Sequence, residues 1–355
     1  MEDDELIRRG NACAGFVPES AREAHPQVRV LLPAVLNRSM KHRTLGRTGL
    51  KVSEVGFGAW AIGGNDHGNS YGPTNDAVSA RAVERAVEMG CNFLDTADVY
   101  GWGHSEQVLG GALRERRQDV ILATKVGGDF YHGGVRMNFD PGYIAFALER
   151  SLQRLRTDYV DLYQLHNPPI SLMADPGTYD VLEELQAENK VRHYGVSVHE
   201  PMEAVMAIET GRASVIQLPF SLFRQEWIDD VFSLASKYKV GIVAREPLGN
   251  GFLTGKYAEE ATFPAGDIRH HWPREMVRGQ VRAAAKIRET FAVDGRTPAQ
   301  AALKFVLAFP EVSVTIPGAK TPAQVEENLA ASEAADFTRD ELAMARDLHA
   351  REFYL

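Results

Sequence analysis

Eight times along this chain a short β-branched or aliphatic run gives way to a stretch with helical periodicity. The runs lie at Glu54–Gly58 and at residues 92–95, 120–124, 160–165, 191–196, 214–217, 240–244 and 312–316. The first helix begins at Asn75 or Asp76 and stops at Gly90; others follow from Ser105 and over 141–156, 177–188, 200–211, 225–238, 276–308, 322–332 and 338–350. Apolar strands this short suit a parallel sheet buried on both faces. Eight such units are the number that closes a (β/α)8 TIM barrel, an α/β fold. A doubly wound open sheet is the competing architecture; it usually has fewer strands and a glycine fingerprint at its first turn. Gly56-Phe-Gly58-Ala-Trp-Ala61 matches that fingerprint in letters only, because a long polar loop follows instead of a helix. Ahead of the first run, Arg43–Ser53 reads as an N-terminal β-hairpin about a glycine-containing turn.

The 355 residues, 44% hydrophobic and 25% charged, can fill one large core. A formal net charge of -9 without a basic patch argues against nucleic acid and anionic membrane as partners. No apolar run is long enough to cross a bilayer. The two cysteines, Cys13 and Cys91, form neither a CxxC pair nor a metal spacing, so a reduced, cytoplasmic protein is expected. Residues 1–39 carry no secretory signal pattern and read as a poorly ordered leader; the barrel is expected over 40–355. His132, His199, His270 and His271 make no metal constellation, and no metal is expected. Oligomeric state is left open.

Three successive strands end in Asp95, Lys125 and His166, and Tyr100 lies in the loop after the first. Ser197, Gln217, Arg245 and Pro317 stand at the ends of later strands. Taken singly, a buried ion pair or a core histidine accounts for each. Together, an acid, a lysine and a histidine at one end of a core are costly unless they pair. In a (β/α)8 barrel that end is where active sites form.

This constellation resembles the aldo-keto reductase family. The matching pieces are Phe93-Leu-Asp95-Thr-Ala-Asp-Val-Tyr100-Gly, Ala123-Thr-Lys125, Asp161-Leu-Tyr-Gln-Leu-His166, Gly195-Val-Ser197, Arg245-Glu-Pro-Leu-Gly-Asn-Gly-Phe-Leu-Thr-Gly-Lys256, and Ile316-Pro-Gly318 with Glu327-Asn328. The resemblance runs from about residue 41 to the end. It implies reversible NAD(P)H-dependent reduction of an aldehyde or ketone to an alcohol. Tyr100 is then the proton donor, Lys125 lowers its pKa, Asp95 holds Lys125, and His166 orients the substrate oxygen. The resemblance also implies that Ser197 and Gln217 bind the nicotinamide carboxamide and that Arg245 lies by the ring or a phosphate. Leu248 to Gly251 would approach the pyrophosphate, and Gly318, Lys320, Gln324, Glu327 and Asn328 would face the adenosine end.

This chain departs from the family at several positions. Val198 follows Ser197 where many members have Asn. Arg245 replaces a stacking tyrosine, and Gln324 and Gly318 stand where several have Arg and Lys. Lys320 offers one positive charge to a 2′-phosphate. NADPH is therefore the expected cofactor, with NADH as the alternative. The partner is a small-molecule carbonyl compound, with pocket walls from loops 62–73, 127–140, 167–176 and 264–276. Those loops and their flanks offer Trp60, Trp102, Phe130, Tyr131, His132 and Trp272 to an aromatic or aliphatic carbonyl. Asp66, Asn69, Asp129 and Arg136 would suit a sugar. An NADPH-binding regulatory subunit with slow residual reductase activity is the alternative function. A lyase using Lys125 as a Schiff-base amine is a third reading, which leaves Ser197, Gln217 and residues 316–328 unexplained.

Overall fold

The computed structural model describes residues 40–67 and 70–352. The expected leader, 1–39, and Asn69 lie outside the described residues. The chain opens with an antiparallel hairpin, β1 (His42–Thr44) and β2 (Lys51–Ser53). The parallel strands then follow as β3 (Phe57–Gly58), β4 (Phe93–Asp95) and β5 (Ile121–Val126). A small ribbon, β6 (Gly128–Asp129) with β7 (Arg136–Met137), projects from the loop beyond. The barrel resumes with β8 (Val160–His166), β9 (Val191–Ser197), β10 (Val215–Pro219), β11 (Gly241–Arg245) and β12 (Val312–Thr315).

The eight barrel strands pair in chain order, all parallel. The ring closes where Gly56 N–H donates to Thr315 O at 2.8 Å and Gly58 N–H to Pro317 O at 3.1 Å. The two glycines of the rejected fingerprint serve this seam. A Cβ on Gly58 would lie 2.6 Å from Ile316 O, and one on Gly56 would lie 2.8 Å from Phe93 O. The first helix starts at Asp76, with the Asn75 side chain accepting from Val78 N–H.

Two expected helices differ. The stretch 276–308 is two helices, Arg274–Phe291 and Pro298–Leu307. Asp294 and Gly295 both take left-handed backbone between them, and Thr297 starts the second helix with a capping box. The helix expected over 225–238 begins only at Val231, after a turn that buries Trp227.

The barrel interior changes character along its axis. Its lower layers are apolar: Phe93, Ala123, Leu162, Val215, Val243 and Val314 form one buried cluster. Leu45 and Val52 of the hairpin segment join that cluster and plug the bottom. Two residues further along five of these six strands, the next inward position is Asp95, Lys125, Gln164, Gln217 or Arg245; after β12 it is the apolar Ile316. A strand alternates its faces with period two, so these residues sit one layer above the apolar ones.

Candidate active site

The upper layer is an ionic knot. Lys125 is fully buried; its ammonium donates to Asp95 Oδ1 at 2.5 Å, to Thr96 O at 2.7 Å and to Tyr100 Oη at 3.1 Å. Asp95 Oδ2 accepts from Gln164 Nε2 at 3.2 Å and from Gln217 Nε2 at 2.8 Å. Strands β4 and β10 are not neighbours, so the Asp95–Gln217 bond crosses the barrel interior. With these bonds made, both buried charges are satisfied. Burial disfavours the charge on Lys125, but Asp95 and Tyr100 outweigh it and hold its pKa above the ordinary value.

Tyr100 meets Lys125 on one side and a cavity of about 650 Å³ on the other. Its phenol is pushed up by burial, with Asp95 adding and Lys125 and Arg245 opposing. The expectation that Lys125 lowers this pKa holds for its own contribution, but the net shift is upward because burial is the larger effect. Tyr100 therefore stays protonated near neutrality. His166 also lines the cavity, its ring edge-on to that of Tyr100 with centroids 5.7 Å apart. Burial, aided by the charges of Lys125 and Arg245, drives His166 well below its ordinary pKa, so its imidazole is neutral.

Gln217, Arg245, Leu248, Gly251, Gly318, Lys320, Gln324, Glu327 and Asn328 all line the same cavity, as do Asp95, Tyr100 and His166. Ser197 does not: it is fully buried and donates to Asn167 Oδ1 at 3.1 Å, and it is Asn167 that lines the cavity. Arg245 pairs with Glu246 and donates to Val198 O at 3.1 Å. Lys320 gives its ammonium to the carbonyls of Tyr71, Gly72 and Pro73, at 2.7, 3.1 and 3.2 Å. Gln324 Oε1 accepts from Lys320 N–H at 2.7 Å, and Asn328 Nδ2 donates to Gly318 O at 3.4 Å.

The cavity wall holds residues that lie within the expected loops 62–73, 167–176 and 264–276 and the 248–251 turn but were not singled out by name: Asn167, Tyr71, Asn250 and Arg269. Arg269 is buried on Asp267 and donates to Asn250 O and Tyr257 Oη, both at 2.8 Å. Tyr71 donates to Asn250 Oδ1 at 2.7 Å. No spacing marks these contacts, which join loops far apart in the chain. Among the expected wall aromatics Trp60 borders the cavity, stacked at a tilt on Tyr71 with centroids 4.8 Å apart. Trp102, Phe130 and Tyr131 stack on one another instead, and Trp272 stacks on Phe252. Asp129 binds His132, Arg136 and Asn138 within the ribbon.

One buried atom tests whether a nicotinamide cofactor fits. Gln217 spends its amide N–H groups on Asp95 and Gln164, and its Oε1 is buried with no hydrogen-bond partner among the described residues. A carboxamide NH2 is a donor of the kind this atom lacks. Among the described residues no three metal-ligating side chains cluster, and no helix is long and apolar enough to cross a membrane.

The chain is similar to known proteins over most of its length. The family model described as the aldo/keto reductase family matches residues 54–350. An aldo-keto reductase of Bacillus subtilis, YhdN, is 33% identical over 297 residues, covering 81% of this chain and 87% of its own. A solved aldo-keto reductase from Bacillus halodurans, in its holo form, superposes with a TM-score of 0.72 at 33% identity, covering 87% of this chain and 96% of that one. A rice protein named as a probable voltage-gated potassium channel subunit beta is 30% identical over 318 residues, covering 82% of this chain and 91% of its own.

Proposed function

The chain belongs to the aldo/keto reductase family and is an NAD(P)H-dependent oxidoreductase, and from that premise we propose that it reduces small aldehydes or ketones with NADPH, Tyr100 giving the proton. The observation that carries the proposal is the Lys125 ammonium, shared between Asp95 and Tyr100 at the edge of the cavity. When bound, the cofactor supplies a hydride to the carbonyl carbon. The chain's residues look after the oxygen. Tyr100, kept neutral by burial, donates its proton there. The Lys125 N–H directed at Tyr100 Oη stabilises the phenolate left behind. Asp95 keeps Lys125 charged and aimed, and Gln164 and Gln217 hold Asp95. His166, neutral, donates an N–H to the same oxygen and fixes its direction.

Cofactor binding falls to Gln217 and Arg245 at the inner end of the cavity and to Leu248 and Gly251 in the loop after β11. Gly318, Lys320, Gln324, Glu327 and Asn328 serve beyond β12. The Trp60–Tyr71 wall beside Tyr100 suits a flat aromatic or aliphatic carbonyl compound. The deciding experiment follows NADPH consumption with a reactive aromatic aldehyde in wild type and Tyr100→Phe. Wild type is expected to turn over and the variant to be slower by roughly 10²–10⁴-fold, with NADPH affinity kept. Near-normal turnover in the variant would remove Tyr100 as the donor. A wild type that binds NADPH tightly but turns over nothing would favour the regulatory-subunit reading, which the potassium-channel relative supports.

A further inference from the structure

His199 lies two residues past Ser197, in the loop that leaves β9, and borders the same cavity as Tyr100 and His166. It is held at three points. Its backbone N–H donates to Glu203 Oε2 at 2.8 Å, and its carbonyl accepts from Arg224 Nη2 at 3.2 Å. Its ring Nδ1 lies 2.9 Å from Arg245 Nη2. A guanidinium can only donate, so Nδ1 is the acceptor. The ring is therefore neutral, with its proton on Nε2. Burial and the charge of Arg245 lower its pKa against the pull of Glu246 and Glu203, as that tautomer requires.

Arg245 is itself fixed. It donates to Val198 O at 3.1 Å and pairs with Glu246, whose backbone is left-handed at φ 56. Of the polar atoms of His199, only Nε2 has no partner among the described residues. A charge on His199 would be felt at His166, so the ring stands within electrostatic reach of the residue that orients the substrate oxygen. The cavity thus has, besides the groups the reduction uses, a neutral N–H donor held in one tautomer. The charges around it decide what it can select. Arg245 is committed to Glu246, and the Glu246 carboxylate borders the cavity too. A carboxylate on the substrate would be repelled there, whereas an uncharged oxygen accepts from Nε2–H without that cost.

We infer that His199 determines substrate specificity: its Nε2–H donates to a second, uncharged oxygen of the carbonyl substrate, so that small hydroxy-ketones and hydroxy-aldehydes are preferred. Arg245 acts here as a positioning residue that sets the tautomer of the ring. The inference rests on the carbonyl-reductase reading and names the substrate feature that the cavity selects. His199→Asn keeps an acceptor for Arg245 near the Nδ1 position but places nothing at Nε2. His199→Gln reaches the Nε2 position with an amide donor.

The test follows NADPH consumption by wild type and both variants with hydroxyacetone, with butanone, in which a methyl group replaces the hydroxyl, and with pyruvate. A reactive aromatic aldehyde is the control. Wild type should have a higher kcat/KM for hydroxyacetone than for either other ketone. The ratio of kcat/KM for hydroxyacetone to that for butanone should fall by roughly three- to tenfold in His199→Asn, the worth of one neutral hydrogen bond. In His199→Gln it should stay within about twofold of wild type. The ratio does not depend on how much of a variant is folded, so a merely structural role for His199 would leave it unmoved. An unmoved ratio in His199→Asn overturns the inference, and so does an equal fall in both variants. A wild type that prefers butanone or pyruvate, or that reduces the aldehyde but none of the three ketones, overturns it as well. A wild type that reduces neither ketones nor aldehyde would end the carbonyl-reductase reading itself, a failure the control tells apart.

Discussion

A lysine without exposed surface keeps its charge only where anions or carbonyls face it. Lys125 has one carboxylate, one carbonyl and one phenol. Lys125→Met removes the cation and leaves Asp95 buried beside an apolar chain. Turnover should fall by about 10²–10⁴-fold in steady-state assays while NADPH titrations stay near wild type. The pH profile has a definite sign. In the proposed mechanism the acid form of Tyr100 is the working form, and its pKa lies above the ordinary phenol value. Activity should therefore stay level from about pH 6 to 9 and decline only in stronger alkali. His166 adds no acid limb in that window, because its own pKa lies well below the usual one. A rate that rises steeply between pH 6 and 7 would contradict the assignment of a neutral His166. Asp95, Lys125 and His166 were readable in the sequence because each ends a strand. Gln164 obeyed the same two-residue step after Leu162 and was passed over, since a lone glutamine inside a strand carries no chemical alarm. That Asn167 rather than Ser197 lines the cavity was not legible, because it depends on a left-handed backbone at Asn167 and on the bond it accepts from Ser197.

Among the elements, the strands carry the charges and the loops carry the walls. Strand existence was legible from short apolar runs, and the barrel from their number. Where helices start and stop was less so. The break at Asp294 and Gly295 lies inside a region of continuous helical periodicity, and left-handed backbone overrides that periodicity. The closing seam sets a sharper expectation. Gly58→Ala would place a methyl group against Ile316 O. It should cost about 1–3 kcal/mol in urea unfolding, the range for inserting a group into a packed site. The ribbon β6–β7 depends on Asp129. Burial opposes its charge, but Arg136, His132, Asn138 and the Tyr131 N–H outweigh burial and bring its pKa down to about 2. A depressed carboxyl stabilises the folded form above its ordinary pKa, and that contribution is lost as pH falls through about 2. Asp129→Asn should speed amide exchange across residues 128–138 by roughly tenfold, with the barrel strands unaffected.

At the scale of the molecule, the hairpin is a plug. Arg47 donates to the carbonyls of Gly211, Arg212 and Ala213, at 2.6, 3.0 and 2.7 Å, fastening the plug across the bottom of the ring. Arg47→Ala should lower stability by about 1 kcal/mol in denaturant and leave turnover unchanged. The hairpin was legible as a hairpin; that it stops the barrel was not, because nothing local says which surface Leu45 and Val52 will cover. The step from an apolar to an ionic layer two residues along the strands separates two kinds of heritable change. Substitutions and insertions in the loops above can redraw the list of compounds a descendant accepts, and none need disturb Asp95, Lys125 or Gln217. A lineage built this way can alter its diet for as long as it likes while its chemistry stays the same.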